Sequence, residues 1–588
     1  MGEEHLSTQP GQTDRDAGAR ASVVPGIGVL RSYRREWLAK DLVAGLILTA
    51  LLVPQGMAYA ELAGLPAITG LYTSILCLLG YALFGPSRIL VLGPDSALGP
   101  MIAATIGPLL LADGDPARAV ALASVLALIV GAVMILAGAA RLGFVADLLS
   151  RPTQIGYMNG LALTILIGQL PKLLGFSVDA DGLIGETVGF VKGVTAGDVV
   201  AASAVIGIGS LGLILVLQAW LPKLPAVLIA VVAAIVAVEL FDLTAHGVAV
   251  VGSLPQGFPP FTVPHVSLPD MLQLVPGALG IALVALVDTI STASAFAARS
   301  GDRIRGNQEM IGIGAANVAA GMFQGFPVST SGSRTAVAEQ AGAKTQVAGL
   351  VGAGAITLIL VLVPGLLRNL PQPALAAVVI AASLSLADIP ATIRLFKQRR
   401  TEFILAMAAF LGVALLGVLP GIGIAVALSI LNVFRRTWWP YQATLGRVEG
   451  LPGLHDIVSY PDAATIDGLV LFRFDAPLIF ANARTFREQV TAMADATPGL
   501  RWIVVAAEPI TDVDTTASDM LEDLDEALNA RGISLVFAEM KDPVRRKIER
   551  YELTRTIDPR HFYPTLNAAI RAFEEETGAT WRPPEGGP

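Results

Sequence analysis

Runs of about twenty residues without one charged side chain recur along the first three quarters of this chain. They cover Leu42–Ala60, Leu62–Ser87, Ala119–Ala140, Ile155–Pro171, Val199–Pro222, Leu224–Val238, Met271–Val287, Met310–Ser333, Thr345–Leu367, Asn369–Ala387 and Phe403–Phe434. A hydrocarbon layer ~30 Å thick is crossed by ~20 apolar residues wound as a helix, and a helix satisfies its backbone polar groups internally. The last window contains Pro420-Gly421 and reads as two helices with a tight break. With a further segment after Gly93, and Met310–Ser333 divided in two, the pattern predicts about fourteen membrane segments.

Charge divides the chain in two. From Tyr441 onward 39 of 148 residues are charged, against 49 of the 440 before it. Soluble domains carry about a quarter of charged residues, so the expectation is a transmembrane body over 31–440 and a soluble, acidic domain over 441–575. Residues 1–30 are polar, lack an apolar run after a basic start, and read as a cytoplasmic tail, with a second tail over 576–588. The mean hydropathy of +0.65 excludes a wholly soluble or disordered chain. Cys77 is the single cysteine and the five histidines lack ligand spacing, so no disulfide framework or structural zinc site is expected. Net charge of −8 speaks against nucleic acid. Arg31, Arg34, Arg35 and Lys40 precede the first span, Lys397, Arg399 and Arg400 share a short loop, and Arg435 and Arg436 follow the last span. The positive-inside rule then places both termini in the cytoplasm of a multi-pass protein of the plasma (inner) membrane.

Two stretches break the spanning pattern. Ile89–Pro100 is a short aliphatic run followed by Gly-Pro and a helical stretch that begins with Asp95, Ser96 and Ala97. Gly325–Thr335 is a polar, Gly/Pro-interrupted run holding Ser329, Thr330, Ser331, Gly332, Ser333 and Arg334. Irregular backbone is tolerated at membrane depth only where it is buried in protein or lines a wet cavity, and paired broken segments point to a transporter's substrate site. Helix N-termini that start there present free N–H groups and partial positive charge to an anion. Gln55 precedes Pro94 by 39 residues and Asp288 precedes Ser329 by 41, as two related halves would require. Gln55 and Tyr59 share one helix face. Asp288 ends an apolar run, and Thr292 lies four residues on. An ionisable group in a span is costly and marks function; a carboxylate beside an anion site demands a proton or a cation. The alternative for Asp288 is a salt bridge to Arg299 or Arg334, and for Asp95 a helix cap.

Val53-Pro54-Gln55-Gly56-Met57-Ala58-Tyr59-Ala60, Leu62-Ala63-Gly64-Leu65-Pro66 and Gly70-Leu71-Tyr72 resemble the opening motif of the SulP (sulfate permease) anion transporters. Pro327–Gln346, with Ser-Gly-Ser-Arg and Gly-Ala-Lys-Thr-Gln, resembles that family's tenth segment and following loop. The resemblance implies a polytopic α-helical fold of 7+7 inverted repeats split into core and gate, a homodimer, and substrate bound between segments three and ten. It makes Gln55, Tyr59, Asp95, Ser96, Ala97 and Ser329 to Arg334 candidate substrate residues, with Arg334 as the fixed positive charge. It also implies that Asp288, Thr292, Thr330 and Ser331 handle a coupling ion, H+ or Na+. The segment-ten residues differ from those of sodium-coupled bicarbonate members.

In the acidic domain, strands are expected at Gly468–Phe474, Trp502–Ala506 and Ile533–Phe537, and helices at Asn482–Ala492, Thr515–Ala530 and Pro543–Tyr551. This α/β alternation, with Phe480-Ala481-Asn482-Ala483 and Asp512-Val513-Asp514-Thr515-Thr516, resembles a STAS domain. Thr515, Thr516 and Ser518 are then phosphorylation candidates or the cap of the following helix. No phosphate-cradling Gly loop and no nucleophile–base pair are visible, so neither ATP drive, nor a cofactor, nor enzymatic activity is expected. The chain reads as a secondary transporter of a small anion (sulfate, bicarbonate or dicarboxylate), proton-coupled by alternating access. The rivals are sodium-coupled bicarbonate symport, an anion channel, and a membrane sensor signalling through the STAS domain.

Overall fold

Apolar windows become helices here, and the Gly/Pro-rich gaps between them become the turns. The computed structural model describes residues 24–31, 33–110, 115–144, 149–180, 182–221, 224–300 and 305–582. The expected tails lie outside the described residues over 1–23 and 583–588, as does the Arg299 side chain. After a short α1 (Pro25–Arg31), the first half of the body runs α2 (Leu38–Leu62), α3 (Ala67–Phe84), β1 (Leu92–Gly93), α4 (Gly99–Ile106), α5 (Pro116–Ala139), α6 (Arg151–Leu174), α7 (Gly182–Ala196), α8 (Ala201–Trp220) and α9 (Ala226–Leu240). The second half runs α10 (Leu268–Ser300), α11 (Gly306–Gly321), β2 (Ser329–Thr330), α12 (Gly332–Gln340), α13 (Val347–Leu362), α14 (Gln372–Leu386), α15 (Ile389–Gln398), α16 (Arg400–Leu416) and α17 (Val418–Trp438).

The two halves match element by element. Each has a two-residue strand before its third helix and a short sixth helix, α7 or α15. Setting those two aside leaves seven segments per half, fourteen in all, and an odd number forces the second half to run opposite to the first. Packing repeats under exchange of halves: α5 lies on α11 as α13 lies on α3, α6 on α16 as α14 on α8, and α2 on α13 as α10 on α5. Two sub-bodies result, a core of α2–α5 with α10–α13 and a gate of α6–α9 with α14–α17. Seven described stretches are long and apolar enough to cross a membrane alone, and α4, α9 and α13 are shorter apolar helices.

Close approach of α2 and α3 depends on glycine. A Cβ on Gly70 would sit 1.9 Å from the Gly56 carbonyl oxygen, which accounts for glycines in both motif stretches. One expectation is corrected. The break in the last window falls at Gly417 (φ +95°), not at Pro420-Gly421. Pro420 sits in the first turn of α17, where a missing N–H costs nothing. Asp288 ends the apolar run but not its helix, since α10 continues twelve residues beyond it.

By packing, the chain separates at Ser429/Ile430. The C-terminal unit adds β3 (Gln442–Gly446), β4 (His455–Asp456), β5 (Thr465–Ile466), β6 (Leu469–Phe474), α18 (Ala483–Ala496), β7 (Trp502–Ala506), α19 (Thr515–Asn529), β8 (Ser534–Ala538), α20 (Asp542–Arg550), β9 (Phe562–Tyr563), α21 (Leu566–Thr577) and β10 (Trp581–Arg582). Strands β6, β7, β8 and β9 are parallel neighbours, and β3 and β5 pair antiparallel with β6. The predicted strands and helices correspond to β6, β7, β8, α18, α19 and α20. Asp514 caps α19 through Ala517 N (2.8 Å). Thr515 and Thr516 are exposed in its first turn, while Ser518 is buried and closed to modification.

Candidate substrate site between two half-helices

Two broken segments meet inside the body through backbone pairing. β1 runs antiparallel to β2 with Leu92 opposite Thr330 and Gly93 opposite Ser329. Ser331 N donates to Val91 O at 3.0 Å, and Val91 N donates to Thr335 Oγ1 at 3.0 Å. Asn317 of α11 braces the approach: its Oδ1 accepts from Val328 N at 3.0 Å. Thr73 Oγ1 of α3 accepts from Phe326 N at 3.1 Å. From this ribbon α4 and α12 depart, each with its N-terminus at the pairing. Asp95 Oδ1 accepts from Ala97 N (2.8 Å) in the turn leading to α4. Ser331 Oγ accepts from Arg334 N (3.4 Å) at the start of α12. The N-cap position of α4 itself is Leu98, so Asp95 closes the preceding turn and does not cap the helix.

Arg334 is buried and ties the two segments together. Its Nη2 donates to Pro94 O at 2.7 Å. Its Nε and Nη1 are buried without a hydrogen-bond partner. A Cβ on Gly93 would lie 2.9 Å from Nη1, so the guanidinium covers that glycine. Among the described residues Arg334, Asp95 and Asp288 form no salt bridge. Asp288 lies within electrostatic reach of Asp95 and beside Gln154 of α6.

These groups line one cavity of about 1260 Å³. It takes in Gln55, Tyr59, Asp95, Ser96, Ala97, Asp288, Thr292, Thr330, Ser331, Gly332, Ser333 and Arg334. Of the residues singled out from sequence only Ser329 stays outside the lining. It is fully buried, and the β alternation turns it away from its neighbour Thr330. The sequence reading missed the opposite wall, where Gln218, Val227, Val378 and Ser385 come from gate helices α8, α9 and α14. Nothing in the local pattern of Val227 and Val378 separates them from packing residues, whereas Gln218 is a polar group in an apolar run. At one end the lining reaches Leu46 and Ile47 early in α2, Gln340 at the end of α12, and Leu386 at the end of α14.

Two of the hydroxyls named as ion ligands, those of Thr330 and Ser331, are engaged. Thr330 Oγ1 donates to Thr289 Oγ1 at 3.0 Å, and Ser331 Oγ both caps α12 and meets Ser333 Oγ at 3.1 Å. Among the described residues no group of three or more His, Cys, Asp or Glu could hold a metal ion.

The Gly-Ala-Lys-Thr-Gln motif anchors this arrangement. Asp41, buried at the start of α2, accepts from Lys344 N (2.6 Å), Thr345 N (3.2 Å) and Thr345 Oγ1 (2.8 Å). Gln346 Nε2 donates to Ser87 O and Leu90 O, both at 2.9 Å. The loop after α12 thus grips α2 and the approach to β1. Asp41 and Glu309, the latter bonded to Tyr81 (2.6 Å) and Ser87, are buried carboxylates the sequence reading did not single out.

The sequence pattern of the sulfate permease family matches residues 38–409, and that of the STAS domain matches residues 460–569. The chain belongs to the sulfate permease family. A Mycobacterium tuberculosis protein (strain CDC 1551 / Oshkosh) named "Probable sulfate transporter" is 43% identical to this permease over 94% of this chain and 98% of its own length. Sulfate transporter 1.1 of Arabidopsis thaliana is 29% identical over 94% of this chain and 89% of its own. Among solved structures, the murine Solute Carrier 26 family member A9 anion transporter in the inward-facing state superposes with a TM-score of 0.86 at 24% identity, covering 97% of each chain. The transmembrane domain of the cyanobacterial bicarbonate transporter BicA gives 0.57 at 20% identity, over 68% of this chain and 98% of that one. This family member is an anion transporter with a multi-pass membrane body and a C-terminal STAS domain, and not an enzyme.

Proposed function

We propose that this permease is a proton-coupled symporter of a small oxyanion, with sulfate as its substrate, working by alternating access in a plasma membrane with both termini cytoplasmic. The observation that carries the reading is the buried guanidinium of Arg334 at the meeting point of two half-helix N-termini, on the wall of the large cavity. Amide dipoles and a positive charge at one point suit a compact anion. The charges favour protons as the co-substrate. Arg334 contributes +1 and Asp95 and Asp288, when ionised, −2, so the bare site carries −1. One proton brings it to neutrality, and the anion then binds without net repulsion. Sodium-linked bicarbonate transport would draw on oxygens of Asp288, Thr292, Thr330 and Ser331, of which Thr330 Oγ1 is bonded to Thr289 and Ser331 Oγ to Arg334 N. The lining reaches the early part of α2 and the end of α12, and the Lys40 side chain lies within 4 Å of where a Cβ on Gly342, just beyond α12, would sit. This supports a cytoplasm-facing state with the gate closed on the opposite side. The sulfate named in the Mycobacterium tuberculosis and Arabidopsis thaliana relatives supports the choice of anion.

The test is uptake of labelled sulfate, bicarbonate and succinate into proteoliposomes under an imposed pH gradient, with Na+ or choline outside. Accumulation of sulfate that collapses with the pH gradient and ignores the Na+-to-choline exchange is expected. A strict need for Na+, or no movement of any of the three anions, overturns the reading.

A further inference from the structure

Between α14 and α16 lies a ten-residue helix to which transport assigns no role. Ala387 turns to extended backbone and ends α14, and Asp388 opens α15 by capping Ala391 N at 2.9 Å. Successive residues rotate by about 100° around a helix, which sorts α15 into three faces. One faces the body: Ala391 is buried, Leu395 half-buried, and Thr392 Oγ1 accepts from Asn159 Nδ2 at 2.8 Å. The next carries Ile389, Ile393 and Phe396, exposed by 55, 50 and 56%. The Phe396 ring meets Phe403 of α16 edge-on at 5.1 Å, which fixes its direction. The third face carries Arg394 and Lys397, both exposed, and Arg400 follows at the start of α16, also exposed. Arg399 is held by Glu402 at 3.0 Å, whereas Arg394, Lys397 and Arg400 have no acidic partner among the described residues.

A short helix with an apolar stripe beside a cationic one, attached to a membrane body, matches the conditions at the boundary between acyl chains and headgroups. We propose that α15 lies in the plane of that boundary and binds an anionic phospholipid. Arg394, Lys397 and Arg400 hold the headgroup phosphate, and Ile389, Ile393 and Phe396 sit among the acyl chains. Three uncompensated cations select a lipid with net negative charge over a zwitterionic one. The docked lipid acts on the gate. Asn159 of α6 accepts from Asp388 N at 2.8 Å while donating to Thr392, so α15 is fastened to a gate helix. Ser385 and Leu386, just before α15, line the cavity. Lipid that fixes α15 therefore fixes the gate at the cavity mouth.

The experiment measures lipid retention by the full-length protein in native mass spectrometry, from detergent holding equal phosphatidylglycerol and phosphatidylcholine. Wild type is expected to keep phosphatidylglycerol several-fold over phosphatidylcholine. The Arg394→Gln/Lys397→Gln/Arg400→Gln variant loses that preference with an unchanged thermal midpoint, and Arg545→Gln/Arg546→Gln/Arg550→Gln on α20 retains it. In vesicles, phosphatidylglycerol speeds anion uptake at least twofold for wild type and leaves the α15 variant unaffected. Wild type without a lipid preference, or an α15 variant that keeps one, overturns the proposal. So does Phe396→Cys cross-linking to a second copy, since protein would then cover the stripe. Preference without any effect on uptake overturns the gating half. Retention is read without transport, so its failure is separate from failure of the symport reading.

Discussion

At Arg334 a full positive charge is held inside a membrane body with the Pro94 carbonyl as its hydrogen-bond partner, and its Nε and Nη1 are buried without one. Arg334→Gln is expected to raise the half-saturation concentration for sulfate about tenfold or more, because hydrogen bonds to charged groups contribute ~1.5–3 kcal/mol. Initial uptake rates across a sulfate series check it. Asp288→Asn should abolish accumulation driven by a pH gradient and preserve exchange of labelled for unlabelled sulfate. Accumulation equal to wild type would reject its coupling role. Outside the membrane body, Asp525 on α19 gives a pH prediction. It is buried, accepts from Asn529 Nδ2 at 2.9 Å, and burial pushes its carboxyl up to about 6, with the amide bond opposing. A carboxyl raised on folding binds its proton more tightly in the native state. Its contribution to the stability of the C-terminal unit should therefore be greatest below the unfolded value of about 4 and fall as pH rises through about 6. Asp525→Asn should flatten this dependence and stabilise the unit by on the order of 1 kcal/mol at pH 7. Fluorescence of Trp502, packed on Phe573 in this unit, reports the unfolding.

The helices legible from sequence are those whose pattern is long and uniform. Charge-free windows found α2, α3, α5 and α8, and Gly-Pro interruptions located both β1–α4 and β2–α12. The short sixth helices α7 and α15 escaped, because ten to fifteen residues mixing charge with apolar side chains do not resemble a span. In the soluble unit β6, β7 and β8 were readable as short, mostly apolar runs rich in β-branched and aromatic residues. The two-residue strands β4, β5, β9 and β10 owe their pairing to distant neighbours and leave no local trace. The cavity divides likewise: Gln55, Tyr59, Asp288 and Arg334 announce themselves as polar groups in apolar surroundings, whereas Val227 and Val378 face the cavity only through tertiary packing. The Gly56–Gly70 contact makes an element-level test. Gly70→Ala should force α2 off α3, at a cost of about 1–3 kcal/mol typical of overpacking, read as a lower thermal midpoint in detergent.

At the scale of the whole chain, the repeated packing of the two halves separates what moves from what stays. Core and gate each hold together through their own helix pairs, and the cavity lies on the border, with α2, α10 and α12 on one side and α8, α9 and α14 on the other. A single disulfide across that border should arrest exchange without unfolding the protein, and reduction should restore it. The partner at the heart of the border is built from main chain. Leu92–Gly93 and Ser329–Thr330 join through peptide groups that every substitution except proline leaves in place. The architecture of recognition is accordingly insulated from mutation, while the side chains around it are free to drift. Lineages sharing this ribbon can exchange one guest for another by changing a few neighbours, without rebuilding the scaffold that holds them.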